Sequence, residues 1–175
     1  MPDIYLENLV KSKEYQYGLP EGLLDNLVRL ESGYNPNATS KLGAKGLTQI
    51  IQKYHPTVND PYDPEENLDY AARTLRAYAD QFGSWKAAVA SWHSGPGRVQ
   101  KSLDSGGDGI PDTTDVVTGL KTRNYVSRIL SGVEDLELPE GVSRAIQDRP
   151  FDRQSLAVIG LGILFLGAFL LYSKG

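Results

Sequence analysis

The chain has 175 residues, 40% of them hydrophobic, which suits one domain with an apolar core. Its formal net charge of −4 argues against a nucleic-acid partner, because binding nucleic acid needs a basic face. There is no cysteine and there are only two histidines, which excludes disulfides, thiol catalysis and zinc–thiolate sites and disfavours a histidine-rich metal centre. We therefore predict no metal and no other cofactor.

Helical periodicity dominates the start of the chain. A first amphipathic helix is predicted from Ile4 to near Gly18. A second is predicted to begin at Leu19-Pro20-Glu21, because proline and an acidic residue suit the first turn of a helix. Leucines and valines line one side of this second helix, which Gly33 is expected to stop. Glu31 lies near its end, at the edge of the apolar stripe.

The surroundings of Glu31 suit acid chemistry. Apolar neighbours disfavour the charged form of a carboxyl group and raise its pKa, and the leucines and valines of its own helix supply such neighbours. A glutamic acid that stays neutral near pH 7 can protonate the leaving oxygen of a glycosidic bond. Taken alone, a glutamate at a helix end is more often simply solvated, so this interpretation depends on the rest of the sequence.

The remaining elements of the predicted domain, residues 1–133, are also helical. Five helices are expected after Gly33: Ala44 to Tyr54, Asp63 to Phe82, Trp85 to Trp92, a short helix through Val99 and Leu103, and Tyr125 to Val133. No strand pattern of any length occurs. We therefore predict that the domain is all-α.

One long irregular stretch, from Asp104 to Gly119, interrupts this pattern, and loops of that length are usually functional or mobile. Its aspartates at 104, 108, 112 and 115 follow the spacing of an EF-hand calcium loop, with Gly109 at the sixth position. Gly106 at the third position, Pro111 and the lack of a final glutamate weaken that interpretation. Calcium binding therefore stays an open alternative.

The C-terminal part of the sequence has a different composition. Residues 134–155 are charged and interrupted by prolines, which is typical of a linker, and residues 156–172 are all apolar or small. As a helix the latter run would span about 25 Å, near the lower limit for crossing a bilayer. A buried core helix is the alternative, but such a helix usually has a polar face. We predict a single C-terminal transmembrane helix.

Three separated blocks resemble the signatures of the soluble lytic transglycosylases, lysozyme-like enzymes that degrade peptidoglycan. The first block comprises Glu31-Ser32-Gly33-Tyr34-Asn35-Pro36, Ala38, Ser40, Gly43-Ala44, Gly46-Leu47 and Gln49-Ile50. The second comprises Asn67-Leu68, Leu75 and Ala87 to Val99, and the third is Thr122 to Leu130. The match extends over roughly residues 15–132. Three blocks in the right order are far more specific than any one of them alone.

The resemblance implies a reaction without water. Glu31 matches the family's catalytic acid/base, which would protonate the leaving oxygen between N-acetylmuramic acid and N-acetylglucosamine. It would then remove a proton from the C6 hydroxyl of the muramic acid, which closes a 1,6-anhydro ring. No second carboxylate is needed to activate a water, unlike in most glycosidases.

The resemblance also implies substrate-binding roles, beside which plainer roles stay open. Ser40 and Gln49 match positions that bind or orient substrate; alternatively, the first caps a helix and the second faces solvent. Trp92 and His93 replace a Tyr-Asn pair, and the tryptophan keeps a plane for stacking on a sugar. The histidine contacts substrate or is merely packed, and metal binding lacks a partner histidine. Tyr125 matches a tyrosine whose hydroxyl contacts the catalytic carboxyl, or is an ordinary core residue.

Further departures from the family pattern concern substrate preference more than reaction type. They are Thr48 for a methionine, Ala71 for a glycine and Lys121 for a glutamate. Two rival functions remain: a hydrolytic lysozyme on the same fold, and a non-catalytic murein-binding structural protein of a virion.

Charge around the apolar run predicts a membrane setting. Arg144, Arg149 and Arg153 precede it and only Lys174 follows it, so the positive-inside rule keeps the domain on the cytoplasmic side. The N-terminus lacks the features of a secretory signal. A murein enzyme anchored in this way fits a membrane-containing bacteriophage that opens the cell wall during DNA delivery or release. The expected partners are therefore glycan strands of peptidoglycan and the lipid bilayer of the virion or of the host inner membrane.

Overall fold

The computed structural model describes residues 3–114 and 119–138. These ranges contain six α-helices: α1 (Ile4–Tyr17), α2 (Leu23–Ser32), α3 (Pro64–Phe82), α4 (Trp85–Ser94), α5 (Pro96–Asp104) and α6 (Thr122–Ile129). Their only β-structure is three isolated bridges. The prediction of an all-α domain is therefore confirmed for the part of the chain that the structure describes.

The core is built around α3 and α4. Helix α3 packs against α1 and α4, α4 also packs against α5 and α6, and α6 packs against α2. The alanines of α4 at positions 87, 88 and 90 are buried, and their small side chains allow neighbouring helices to approach closely. Leucines of α2 and α3 and Ile129 of α6 fill the centre of the same apolar cluster. This packing brings the end of α2 against α6, although the two helices are far apart in sequence.

Most helix ends follow the signals in the sequence. The side chain of Asp3 caps α1, accepting from the Tyr5 amide at 2.9 Å. Asp63 caps α3 in the same way, with the Glu66 amide at 2.7 Å. Glycines in the left-handed conformation end α1, α2 and α3, at positions 18, 33 and 83.

The second helix begins later than predicted. Residues 20–22 form a turn, and α2 begins only at Leu23, because Gly22 has a φ of 86° that no right-handed helix accepts. Glycine has no side chain to cap the helix, and Glu14 of α1 takes over that function. Its Oε1 accepts hydrogen bonds from the amides of Leu24 at 2.8 Å and Asp25 at 3.2 Å. The start of α2 is thus fixed by a residue of the preceding helix.

The prediction of a helix from Ala44 to Tyr54 is wrong. This part of the chain is a loop of tight turns, in which Lys45 and Ile50 exchange two backbone hydrogen bonds of 2.9 Å each. Leu47 and Ile50, which lie three positions apart like residues on one face of a helix, are both buried. A hairpin-like turn can therefore bury apolar residues three positions apart as well as a helix can.

Two backbone conformations exclude a helix in this loop. Gly46 has a φ of 75° and Gln49 a φ of 56°, both in the left-handed region. A Cβ atom on Gly46 would lie 2.0 Å from the carbonyl oxygen of Pro61, so the loop requires glycine there. The segment that follows, residues 51–63, contributes Val58 to a second small apolar cluster with Ile50 and Tyr70.

Smaller differences concern two other helices and the C-terminal part of the chain. Helix α4 extends to Ser94, two residues past the predicted end, and α6 ends at Ile129, before Val133. The predicted transmembrane helix at 156–172, and most of the predicted linker at 134–155, lie outside the described residues. No helix within 3–114 and 119–138 combines the length and apolar character needed to cross a bilayer.

Candidate active site

Glu31 and Tyr125 meet where α2 packs against α6. Glu31 is half-buried on the last turn of α2, and Tyr125, 3% exposed, lies on α6. The Tyr125 hydroxyl donates a hydrogen bond to Glu31 Oε1. Asn26 holds the two helices in register, since its Nδ2 donates to the carbonyl oxygen of Ile129 at 2.8 Å. The structure thus brings together two of the predicted site residues.

The turn after Glu31 is fixed by a polar cluster that the sequence analysis missed. Tyr34 has a left-handed φ of 67°, an unusual conformation for a bulky residue, and is only 6% exposed. Its hydroxyl donates to Asp25, which also accepts from Arg29 Nε at 2.7 Å. The Arg29 guanidinium lies over the Tyr34 ring, 5.2 Å from its centroid. Burial raises the pKa of Tyr34, so the hydroxyl stays a donor at neutral pH.

His93 lies beside Tyr125. The two ring centroids are 4.3 Å apart, with the planes tilted by 34°. His93 Nδ1 is 3.1 Å from Thr122 Oγ1, which in turn lies 2.6 Å from Thr113 Oγ1. His93 therefore belongs to the wall that holds Tyr125 against Glu31.

Trp92 contacts a different part of the chain. Its indole is half-buried and stacks on the ring of His55, at 6.3 Å between centroids and 13° between planes. His55 Nδ1 is 2.6 Å from the Tyr70 hydroxyl. Burial lowers the pKa of His55 to about 4, so its imidazole is neutral at pH 7. No sequence motif contains His55, and its loop has no periodicity, so the sequence alone does not indicate this contact.

Ser40 and Gln49 use their side chains within the loop that follows α2. Ser40 Oγ accepts a hydrogen bond from the Ala44 amide at 3.0 Å, so it closes a turn rather than capping a helix. Gln49 Nε2 donates to the carbonyl oxygens of Gly46 at 3.0 Å and Ala38 at 3.5 Å. Both residues are half-buried. Each therefore has a structural function, whatever it does toward a substrate.

Asn67 anchors this loop to α3. It is fully buried, and its Oδ1 accepts from the Thr48 amide at 3.0 Å and from Thr48 Oγ1 at 2.7 Å. Its Nδ2 donates to the carbonyl oxygen of Pro61 at 2.8 Å. The threonine that departs from the family pattern thus completes a buried polar network, which the sequence alone did not reveal.

Two aspartates of the suspected calcium loop form contacts with other side chains. Asp108 forms a salt bridge with Arg123 of α6 at 2.8 Å, and this contact, more than any other, lowers the pKa of Asp108. Asp104 accepts from Gln100 Nε2 at 2.8 Å. Within 3–114 and 119–138, no group of three or more metal-binding side chains comes together. Asp115, the last position of the calcium pattern, lies outside these ranges.

Comparison with known proteins identifies related sequences. The profile of the Transglycosylase SLT domain matches residues 8–112. The transglycosylase of Enterobacteria phage PRD1 is 28% identical over 120 residues, which cover 67% of this chain and 39% of the phage protein. The soluble lytic murein transglycosylase of Escherichia coli K12 is 30% identical over 137 residues, 68% of this chain and 21% of that protein.

A third relative is the membrane-bound lytic murein transglycosylase C of Pectobacterium atrosepticum, which is 25% identical over 121 residues, 57% of this chain and 34% of that protein. The matched region spans between a fifth and two fifths of the length of these three relatives. The domain profile, in contrast, covers more than half of the chain, including α2 and the whole loop that follows it. The chain therefore belongs to the Transglycosylase SLT domain family.

Proposed function

We propose that this chain is a peptidoglycan lytic transglycosylase. It cleaves the β-1,4 bond between N-acetylmuramic acid and N-acetylglucosamine and leaves a 1,6-anhydromuramyl end. The observation that carries the proposal is the hydrogen bond from Tyr125 to the half-buried carboxyl group of Glu31, a residue within the stretch 8–112 that matches the family profile. The names of the three relatives agree with it.

In the proposed mechanism, Glu31 acts first as an acid and then as a base. It gives its proton to the leaving glycosidic oxygen while the bond from C1 of the muramic acid to that oxygen breaks. The resulting carboxylate takes the proton of the C6 hydroxyl. At the same time, the C6 oxygen forms a bond to C1 of the muramic acid and closes the 1,6-anhydro ring. Glu31 ends as it began, and no water is consumed. The Tyr125 hydroxyl orients the carboxyl group and stabilises its charged form between the two transfers.

The acidic residues of α2 favour a mechanism with one carboxylate. Besides Glu31, the helix carries only Asp25. Asp25 accepts hydrogen bonds from Arg29 and Tyr34, so it serves the turn after Glu31 and is not placed to activate a water. Most hydrolytic glycosidases, in contrast, use a second carboxylate beside the acid.

Digestion of purified murein by the full chain tests the reaction. Mass spectrometry of the products separates the two enzymatic functions: anhydromuramyl ends support a lytic transglycosylase, and reducing ends indicate a hydrolytic lysozyme. Glu31→Gln should abolish cleavage, whereas Glu21→Gln, at an exposed position, should retain it. Cleavage by Glu31→Gln at the wild-type rate would refute both enzymes. No cleavage by the wild type would favour the non-catalytic murein-binding virion protein.

We also propose that residues 156–172 anchor the enzyme in a bilayer, with the domain on the cytoplasmic side, in a virion membrane or the host inner membrane. The uniform apolar composition of the run and the arginines that precede it support this topology. The relative from phage PRD1 supports a phage setting, in which the enzyme would open the cell wall during DNA delivery or release.

Alkaline extraction of membranes from cells that express the full chain tests the anchor. The wild type should stay in the membrane pellet. Leu164→Arg, which places a charge within the apolar run, should be released into the supernatant. Release of the wild type would contradict the anchor, and protease protection of the domain in inverted vesicles would contradict the proposed orientation.

A further inference from the structure

Trp92 and His93 are consecutive on α4 but have different surroundings. Side chains of neighbouring helical residues leave the axis about 100° apart. His93 accordingly contacts Tyr125, which donates a hydrogen bond to Glu31, while Trp92 stacks on His55. The end of α4 thus contacts both the candidate catalytic pair and the loop of residues 51–63.

The position of His55 is determined by contacts on two sides. Its Nδ1 is 2.6 Å from the hydroxyl of Tyr70, a residue of α3 that is 8% exposed. The two rings meet edge to face, with 5.2 Å between their centroids. The imidazole also contacts Trp92, and its plane is nearly parallel to that of the indole. His55 therefore links Trp92 to a buried residue of the core helix.

The loop that carries His55 is itself held in place. Gln52 Nε2 donates to the carbonyl oxygens of Val58 and Asn59, each at 3.0 Å. The Glu66 carboxylate accepts from the amides of Asn59 at 2.7 Å and Asp60 at 2.8 Å. Gln52 before His55 and Glu66 after it thus fix the backbone of residues 58–60, so the imidazole approaches Trp92 from a loop that is tied on both sides.

We propose that His55 is a positioning residue for glycan binding. It holds the indole of Trp92 in the orientation in which a sugar ring of the glycan strand stacks on it. A substrate that meets a prearranged aromatic plane loses less side-chain entropy on binding, so His55 raises affinity. Its hydrogen bond and ring contacts are with Tyr70 and Trp92, so we expect it to act through Trp92. This inference rests on the proposed function, since it presumes a glycan substrate.

Steady-state kinetics of the full chain on soluble glycan strands test this role. His55→Ala should raise KM about 3- to 10-fold, the range expected for the loss of one aromatic pair, and should leave kcat within about twofold. His55→Phe keeps a ring on Trp92 and should restore most of the affinity. His55→Asn keeps a polar atom near the Tyr70 hydroxyl but lacks the ring, so it should resemble His55→Ala.

A double-mutant cycle shows whether His55 acts through Trp92. Trp92→Ala and Trp92→Ala/His55→Ala should have the same KM, because the second change has no plane left to position. Additive effects on KM, a fall in kcat with unchanged KM, or an unaffected His55→Asn would overturn the proposal. Thermal unfolding of each variant is measured alongside, and if His55→Ala does not fold, the Phe and Asn variants still decide.

A binding assay separates this inference from the proposed function. Affinity of Glu31→Gln for the same strands, with and without His55→Ala, is measured by sedimentation and needs no catalysis. If His55→Ala weakens binding but the wild type does not cleave the strands, the proposed enzymatic function is refuted and the positioning role of His55 is retained. If the wild type cleaves the strands but binding does not depend on His55, the positioning role is refuted and the proposed enzymatic function is retained.

Discussion

A hydrogen bond joins the two residues on which the proposed chemistry depends. Tyr125 donates to Glu31 from a helix more than ninety positions away in the chain. A hydrogen bond to a charged group contributes about 1.5–3 kcal/mol, and in the proposed mechanism Glu31 is charged between its two proton transfers. The contribution of Tyr125 should therefore appear in the rate of the chemical step more than in the stability of the fold.

Tyr125→Phe tests this expectation. We expect kcat on murein glycan strands to fall about 10- to 100-fold, with KM changed by less than about threefold. Tyr17→Phe is the matched control, because it also removes a hydrogen bond from a tyrosine hydroxyl to a carboxylate, that of Asp69 at 2.7 Å. Equal effects of the two variants on kcat would show that Tyr125 acts only through stability.

At the same scale, the sequence predicted some site residues and missed others for a physical reason. Glu31 and Tyr125 lie on predicted helices and in blocks that resemble the family signatures, and it was this resemblance that implied the role of Tyr125. His55 lies in a loop, and only the fold brings it to Trp92. The polar contacts of Asn67 with the loop before α3 likewise depend on the fold. Sequence spacing does not encode contacts between a loop and a distant helix.

At the scale of single elements, the start of α2 depends on a residue outside it. Glu14 is 4% exposed, and its carboxylate caps α2, whose last turn carries Glu31. Burial raises the pKa of Glu14, although the amides it contacts counteract this effect. The cap thus stabilises α2, while the cost of burying a charge reduces its net contribution.

Replacements of Glu14 separate these two effects. Glu14→Ala should lower the free energy of unfolding by about 1–3 kcal/mol, because it leaves buried amides without an acceptor. Glu14→Gln keeps an acceptor oxygen without the charge and should cost clearly less. Urea unfolding followed by circular dichroism measures both. Equal losses for the two variants would mean that the charge, rather than the hydrogen bond, matters.

The loop after α2 shows where periodicity failed. Leu47 and Ile50 are buried as a helix would bury them, but Gly46 and Gln49 adopt left-handed conformations. The structural reason is the close approach of Gly46 to the Pro61 carbonyl, a contact between segments that no local pattern contains. The other helices were predicted within a few residues, since each buries a continuous stripe and most have a recognisable cap.

Two glycines of this loop offer a matched comparison. Gly43 and Gly46 both have positive φ, but a Cβ atom meets nothing within 4 Å at Gly43. Gly43→Ala should therefore cost about 1 kcal/mol of stability for the left-handed conformation alone. Gly46→Ala must also displace backbone and should cost more than about 3 kcal/mol. Thermal unfolding measures both, and similar losses would contradict the close contact.

At the scale of the whole molecule, buried ionisable groups make stability depend on pH in opposing ways. Burial raises the pKa of Glu14, so the folded state holds its proton more tightly and Glu14 favours folding as the pH falls. Burial lowers the pKa of His55, so the unfolded chain binds that proton more tightly. The pH profile of the wild type alone is therefore a difference of two trends, and a variant is needed to isolate either one.

His55→Phe isolates the histidine. The pKa of His55 is about 4 in the folded protein and 6.5 unperturbed, so its stabilising effect is complete above pH 6.5 and is lost as the pH falls toward 4. Between pH 7.5 and pH 5 the wild type should lose about 2 kcal/mol more than His55→Phe, measured by urea unfolding at each pH. Parallel losses would mean that His55 is as solvated as in the unfolded chain. That result would also remove the constrained contact with Trp92 on which the positioning role depends.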